Sequence, residues 1–170
     1  MRKIIIGVMG PGEKATDQDL LNAHELGKYI AQQGWILLTG GRNVGVMDAA
    51  SKGAKSGNGL TIGILPNGDS EGVSEAVDIA IFTDMGNARN NINILSSDVV
   101  IACGMGAGTA AEVALALKGK KPVILLTEDT LGQNFFQNLS PENIYTVGSC
   151  QQAIATAQRI LHFIANYQTS

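Results

Sequence analysis

The chain has few charges, few aromatic residues and little cysteine or proline. Of its 170 residues 16% are charged and 5% aromatic, with two cysteines and four prolines. Twelve Lys and Arg against fifteen Asp and Glu leave a net charge of -3, and no basic run extends beyond Lys120-Lys121 or Arg2-Lys3. That argues against general binding to nucleic acid or an anionic membrane, because both require clustered cations. The cysteines, Cys103 and Cys150, have neither disulfide-scaffold density nor metal-ligand spacing. A reducing compartment, the cytoplasm, is the expectation. No apolar run approaches the ~20 residues of a membrane-spanning helix. The run after Met1-Arg2-Lys3 is short and breaks at Gly10-Pro11-Gly12 without a cleavage-like site, so it reads as a first strand, not a signal peptide.

Several chemical signatures are also missing. No Gly-x-Gly-x-x-Gly is followed by an acid at the end of the next strand, which weakens a dinucleotide reading. No Lys-Ser/Thr pair completes a nucleotide phosphate loop. No His/Cys/acid spacing suggests a protein-held zinc, and His24 and His162 have no nucleophile near them in pattern. Cys103, at the end of an apolar run, reads as packing; Asp48 reads as an exposed helical acid or a polar lining in equal measure.

What is abundant is glycine, 21 residues, and hydrophobic residues, 45%. Apolar runs at Lys3–Met9, Trp35–Thr39, Leu60–Leu65, Ile79–Phe82, Val99–Cys103, Pro122–Leu126 and Ile144–Val147 read as strands. Helical periodicity follows most of them. A helix capped by Thr16 runs to Gly34, with Leu20, Ala23, Leu26, Gly27 and Ile30 inward. Others cover Val44–Ser56, the stretch after Arg89 with Ala88, Ile92 and Leu95 inward, Thr109–Lys118, and Cys150 to about Asn166. The segment with Phe135 and Phe136 reads as looser chain. Strands alternating with helices predict right-handed crossovers around a mainly parallel sheet. The expected fold is a Rossmann-like three-layer α/β sandwich, a single domain over residues 1–170.

In such a fold ligands gather at the carboxyl ends of the strands. Four segments fall there: Gly10-Pro11-Gly12, Thr39-Gly40-Gly41-Arg42-Asn43-Val44-Gly45, Met85–Arg89 and Cys103-Gly104-Met105-Gly106-Ala107-Gly108-Thr109. Glycine lets backbone amides approach a ligand, and a helix N-terminus offers free N–H groups with partial positive charge. A phosphate-bearing small molecule is the expected partner. The site residues assigned on this basis are Gly10, Gly40, Gly41, Arg42, Asn43, Asn87, Arg89, Asn90, Gly106, Ala107, Gly108, Thr109 and Glu112.

Two of these have competing readings. Glu112, three residues after Thr109, fits first a capping box in which each satisfies the other's free amide, with a functional carboxylate as the alternative. Arg89 is either a solvated arginine or an anion ligand. Asn87, Asn90, Asn91 and Asn93 surround it, and Arg89 and Asn93 share a helix face four residues apart.

Gly40-Gly41-Arg42-Asn43-Val44-Gly45-Val46-Met47 with Gly104-Met105-Gly106-Ala107-Gly108-Thr109-Ala110-Ala111-Glu112 resembles the superfamily once labelled "possible lysine decarboxylase". Its best-known members are cytokinin-activating phosphoribohydrolases, Rossmann-like oligomers that cleave the N-glycosidic bond of nucleoside 5'-monophosphates. Arg89 and Glu112 match those enzymes' arginine and glutamate, so the resemblance implies catalytic roles for them if the chain is a hydrolase. Gly104-Met105 replaces Pro-Gly, however, and Asn90 stands where the enzymes place lysine. The run from Asn87 to Asp98 is instead similar to the molybdenum-cofactor carrier branch. That resemblance implies carriage or protection of the molybdenum cofactor, a phosphate-bearing pterin, with no metal ligated by the protein. It also implies a homodimer or homotetramer and a molybdoenzyme recipient. A non-catalytic nucleotide sensor is a third reading.

Overall fold

The strongest apolar runs of the sequence lie side by side in one sheet. The computed structural model describes residues 2–167. Seven strands run β1 (Ile5–Met9), β2 (Ile36–Thr39), β3 (Thr61–Leu65), β4 (Ile79–Phe82), β5 (Val99–Cys103), β6 (Val123–Leu126) and β7 (Ile144–Thr146). Six helices run α1 (Asp17–Gln32), α2 (Gly45–Ser56), α3 (Asn90–Ser96), α4 (Ala107–Lys118), α5 (Thr130–Leu139) and α6 (Cys150–Tyr167), and a 3-10 turn, Gly86–Arg89, leads into α3.

The strand order is β4-β3-β2-β1-β5-β6-β7, and all six pairings are parallel. A parallel sheet is covered on both faces, which is why its central strands are apolar at every position. β2, β5 and β6 are buried throughout. On one face α1, α2 and α6 bury Ile6, Leu37, Ile101 and Ile124; on the other, Ile94, Val113 and Phe136 of α3, α4 and α5 pack on Leu38, Val100 and Leu125. The three-layer Rossmann-like architecture expected from the sequence is the one observed. Among the described residues no helix is long and apolar enough to cross a membrane.

Local chemistry sets the helix ends. Thr16 caps α1 reciprocally: Asp19 N–H donates to Thr16 Oγ1 at 3.1 Å, and Thr16 N–H to Asp19 Oδ2 at 2.9 Å. α1 and α2 pack almost backbone to backbone. A Cβ on Gly27 would lie 2.0 Å from the Ala50 carbonyl oxygen, so only glycine allows this approach.

Three local expectations are corrected. The segment around Phe135 and Phe136 is a regular helix, α5, with Phe136 buried. The inward face of α3 is formed by Asn93 and Ile94 after a buried Arg89, whereas Ala88 and Leu95 are exposed and Ile92 is half-buried. Here the polar residues turn inward because Arg89 lines a cleft and Asn93 hydrogen-bonds the Glu112 carboxylate at its wall. The start of α4 also differs: it is capped by extended Gly106 (φ -161°, ψ 174°), and Ala110 N–H donates to the Gly106 carbonyl at 2.8 Å. Thr109 is therefore inside the first turn, and its capping box with Glu112 does not form.

The chain winds outward from β1 to β4 and then returns to place β5 on the other side of β1. Loops leaving the carboxyl ends of β1 and β5 diverge in opposite directions, and a crevice opens between them.

Candidate anion-binding cleft

That crevice is a cleft of about 300 Å³, lined by segments far apart in the chain. Val8, Met9, Gly10, Pro11, Gly12, Glu13 and Lys14 come from β1 and its loop, Gly40, Arg42 and Met47 from the first glycine turn and α2. Asn87, Arg89 and Asn90 come from the turn before α3, and Gly106, Ala107, Gly108, Thr109 and Glu112 from α4.

Of the site residues assigned from sequence, two fall elsewhere. Gly41 packs against Gly63 and Leu65 beneath the turn. Asn43 lies in a separate groove with Leu21, His24 and Lys52. The turn reverses sharply, so alternate residues project to opposite sides. Asp48 is not in the cleft: it accepts from Ser74 Oγ at 2.7 Å and pairs with Lys52. Burial pushes the Cys103 thiol up, consistent with a packing role.

Arg89 is buried, and its Nη1 donates to the carbonyls of Gly40 and Ile64. These bonds cap the carboxyl ends of β2 and β3 and leave Arg89 Nε without a partner. Gly40 is what makes room, since a Cβ there would lie 2.5 Å from Arg89 Nη1. The first glycine turn thus seats the arginine. Burial lowers the Arg89 pKa from its ordinary value, Glu112 opposes that shift and Arg42 adds to it.

Glu112 is buried beside it. Asn93 Nδ2 donates to Glu112 Oε1 at 3.2 Å. Burial pushes the carboxyl up to about 7, against the Asn93 hydrogen bond and the Arg89 charge, which lower it. At neutral pH the group therefore exchanges between a carboxylate that accepts and an acid that donates. Asn93 was missed among the site residues, although its spacing from Arg89 was the available signal. Lys14 was missed because a lone loop lysine carries no pattern.

Three buried polar side-chain atoms among the described residues lack any partner: Arg89 Nε, Asn93 Oδ1 and Thr109 Oγ1. Arg89 and Thr109 line the cleft, and Asn93 bonds the cleft's carboxylate. A buried unsatisfied polar atom costs about 1–3 kcal/mol, so such a cluster marks a place built to be completed by a ligand. The free amides at the start of α4 stand beside Thr109, and Lys14, Arg42 and Arg89 supply positive charge around them. Glu13 holds Arg42 at 2.7 Å on the exposed rim. Chemically, the arrangement can neutralise an anion at the strand ends and offer paired donors and acceptors at its inner wall.

The chain is similar to several known proteins over most of its length. The solved molybdenum cofactor binding protein from the phototrophic bacterium Rippkaea orientalis is 63% identical with a TM-score of 0.94, over 95% of this chain and 99% of that one. The molybdenum cofactor carrier protein from Chlamydomonas reinhardtii is 54% identical with a TM-score of 0.90, over the same shares. More distantly, the cytokinin riboside 5'-monophosphate phosphoribohydrolase of Mycobacterium tuberculosis is 35% identical over 101 residues, 58% of this chain. That match spans 54% of the enzyme, about half its length. The profile of the SLOG cluster4 family matches residues 3–154, from the approach to β1 into the first turn of α6, and this chain belongs to that family.

Proposed function

We propose that this protein binds and carries the molybdenum cofactor, holding it intact in the cleft between β1 and β5. The observation that carries the reading is the cluster of unpartnered buried atoms, Arg89 Nε, Asn93 Oδ1 and Thr109 Oγ1, around one positively lined cleft. The two solved relatives named for that cofactor, similar over nearly their whole length, support it. The phosphate of the pterin meets the amides of Gly106, Ala107 and Gly108 and the Thr109 hydroxyl, and Arg42, Lys14 and Arg89 balance its charge. Asn87 and Asn90 contact the ligand at the mouth, and the Asn93–Glu112 pair reads its heterocycle. The metal travels as part of the cargo. On this reading the protein is a cytoplasmic homo-oligomer of one domain, residues 1–170, and delivers to a molybdoenzyme.

Hydrolysis of a nucleoside 5'-monophosphate is the second reading, favoured by a Glu112 that no helix cap restrains. There Arg89 orients the nucleotide and Glu112 stabilises the developing ribosyl cation or guides water. Burial raises the Glu112 pKa, and Asn93 Nδ2 already occupies Oε1, so this carboxyl is less available to a developing cation than a free, exposed carboxylate. Carriage therefore fits better, and nucleotide sensing would use the same anion contacts.

The test is anaerobic binding of molybdenum cofactor to purified protein, scored as molybdenum and pterin per protomer, for the wild type, Arg89→Ala and Thr109→Val. Saturable uptake near one per protomer, weakened in both variants, supports carriage. No uptake overturns it, and release of base from nucleoside monophosphates then becomes the assay.

A further inference from the structure

The β4 edge of the sheet is apolar, and the chain around it carries charge of one sign. Among the described residues β4 has β3 on one side and no strand on the other. A row of its backbone N–H and C=O groups therefore faces outward. Its sequence, Ile79-Ala80-Ile81-Phe82, holds no charge, and Ile79, Ile81 and Phe82 are 44%, 43% and 44% exposed. Alternation puts Ile79 and Ile81 on one face of the sheet and Phe82 on the other, so apolar groups stand in water on both sides of the edge. Edge strands are ordinarily blunted by a charge or a proline within the strand, and β4 has neither.

The charge lies around the strand instead. From Ser56 to Ala88 there is no Lys, Arg or His, against Asp69, Glu71, Glu75, Asp78 and Asp84. Asp78, at the start of β4, is paired with Lys55. The other four are exposed and form no salt bridge among the described residues. Lys52 lies within electrostatic reach of Glu75, but it is bonded to Asp48. Asp84 N–H donates to the Asn67 carbonyl at 3.3 Å, and a Cβ on Gly68 would lie 3.4 Å from Asp84, which brings Asp69 and Asp84 to the same end of β4.

We propose that β4 is a docking edge for an extended basic segment of another protein, which adds to the sheet as a further strand. Alternate apolar side chains of that segment cover Ile79, Ile81 and Phe82, and Lys or Arg at its ends meets the unpaired acids. A helix has no free backbone groups for the outward row, so the edge selects a strand. A second copy is a poor occupant. Antiparallel twofold pairing of β4 with β4 sets the Asp84 end of each against the Asp78 end of the other, like charge against like. β4 leads through Thr83, Asp84 and Met85 into the turn that carries Asn87 and Arg89, so the docked strand lies next to one wall of the anion cleft. This docking is independent of which small molecule the cleft holds.

The test begins with random dodecapeptides displayed on phage and selected against the immobilised full-length protein. One selected peptide, made synthetically, is then titrated by fluorescence anisotropy against wild type, Phe82→Ser, Asp69→Asn/Asp84→Asn and, as a control, Leu131→Ser at an exposed position of α5. Asparagine tolerates the left-handed backbone of Asp84 (φ 52°), so the charge variant keeps its fold. Selected peptides are expected to alternate apolar residues between Lys or Arg. Affinity should fall about tenfold in Phe82→Ser at any salt concentration, with an unchanged circular dichroism spectrum. In the charge variant it should fall about fivefold at low salt and match the wild type at about 1 M salt. Leu131→Ser should bind as the wild type does, and hydrogen exchange should slow at β4 but not at β7 when the peptide binds. The absence of any selected peptide, peptides without Lys or Arg, or affinities that ignore both β4 variants overturn the proposal. So does a wild-type mass in light scattering that falls in Phe82→Ser, because a second copy would then already hold the edge.

Discussion

Asn93 holds Glu112 by a 3.2 Å hydrogen bond at the inner wall of the cleft, and no helix cap competes for that carboxylate. Asn93 is fully buried and its own Oδ1 is unpartnered, so an unsatisfied acceptor stands behind a carboxyl whose pKa burial has raised to about 7.

The raised Glu112 pKa makes stability depend on pH. The folded protein keeps this proton up to about 7, whereas the unfolded chain loses it near 4.5. Between those values the native state binds more protons, so stability falls as pH rises. The expected loss is about 3 kcal/mol at most, complete above pH 8. Glu112→Gln removes that slope, so its urea midpoint should exceed that of the wild type more at pH 8 than at pH 5. Equal differences at the two pH values would mean that the carboxyl titrates normally.

Thr109→Val separates ligand binding from folding. Its hydroxyl has no partner, so removing it should leave the melting temperature unchanged or raise it, by up to about 1 kcal/mol of stability. Affinity for the anionic ligand should fall about tenfold, equivalent to about 1.4 kcal/mol. A destabilised variant with unchanged affinity would show the hydroxyl to be structural.

Gly40→Ala should act on Arg89 from a distance in sequence. The added methyl group would meet Arg89 Nη1 at 2.5 Å, and either the turn or the guanidinium must move. A loss of about 1–3 kcal/mol in denaturant titration is expected, together with weaker anion binding. Wild-type stability would mean that Arg89 moves at no cost.

Glu13→Gln tests the rim. The pair with Arg42 is exposed, so stability should not change measurably. Releasing Arg42 should tighten anion binding about twofold to fivefold at low salt and lose that effect at about 1 M salt. A salt-independent gain would point to a conformational effect instead.

The strands and their common edge were legible in the sequence because a buried parallel strand is apolar at every position and glycine turns mark its end. Arg89 and Glu112 were legible as candidates from their place at the strand-end edge, their spacing from Asn93 and Thr109, and the family resemblance. The face of α3 was not. Apolar spacing put Ala88 and Leu95 inward, but Asn93 is buried and Leu95 exposed, because the cleft draws polar groups in and the opposite side is left to apolar ones. α5 escaped notice for a related reason. Its apolar spacing, Leu131, Phe135 and Leu139, follows an exposed ridge, and only Phe136 among its large residues turns into the core.

Local rules in the sequence determined the strands, most of the helices and the edge at which a ligand would sit, since these depend on periodicity, caps and turn residues. The tertiary structure decided which groups face each other there. Thr109 and Glu112 have the spacing of a capping box, yet extended Gly106 starts the helix earlier and frees both. Their new neighbours come from far along the chain: Asn93 is 19 residues from Glu112, and Arg89 is 49 residues from Gly40. Only packing brings such residues together, because nothing in their local sequence records the distance between them once the sheet has closed.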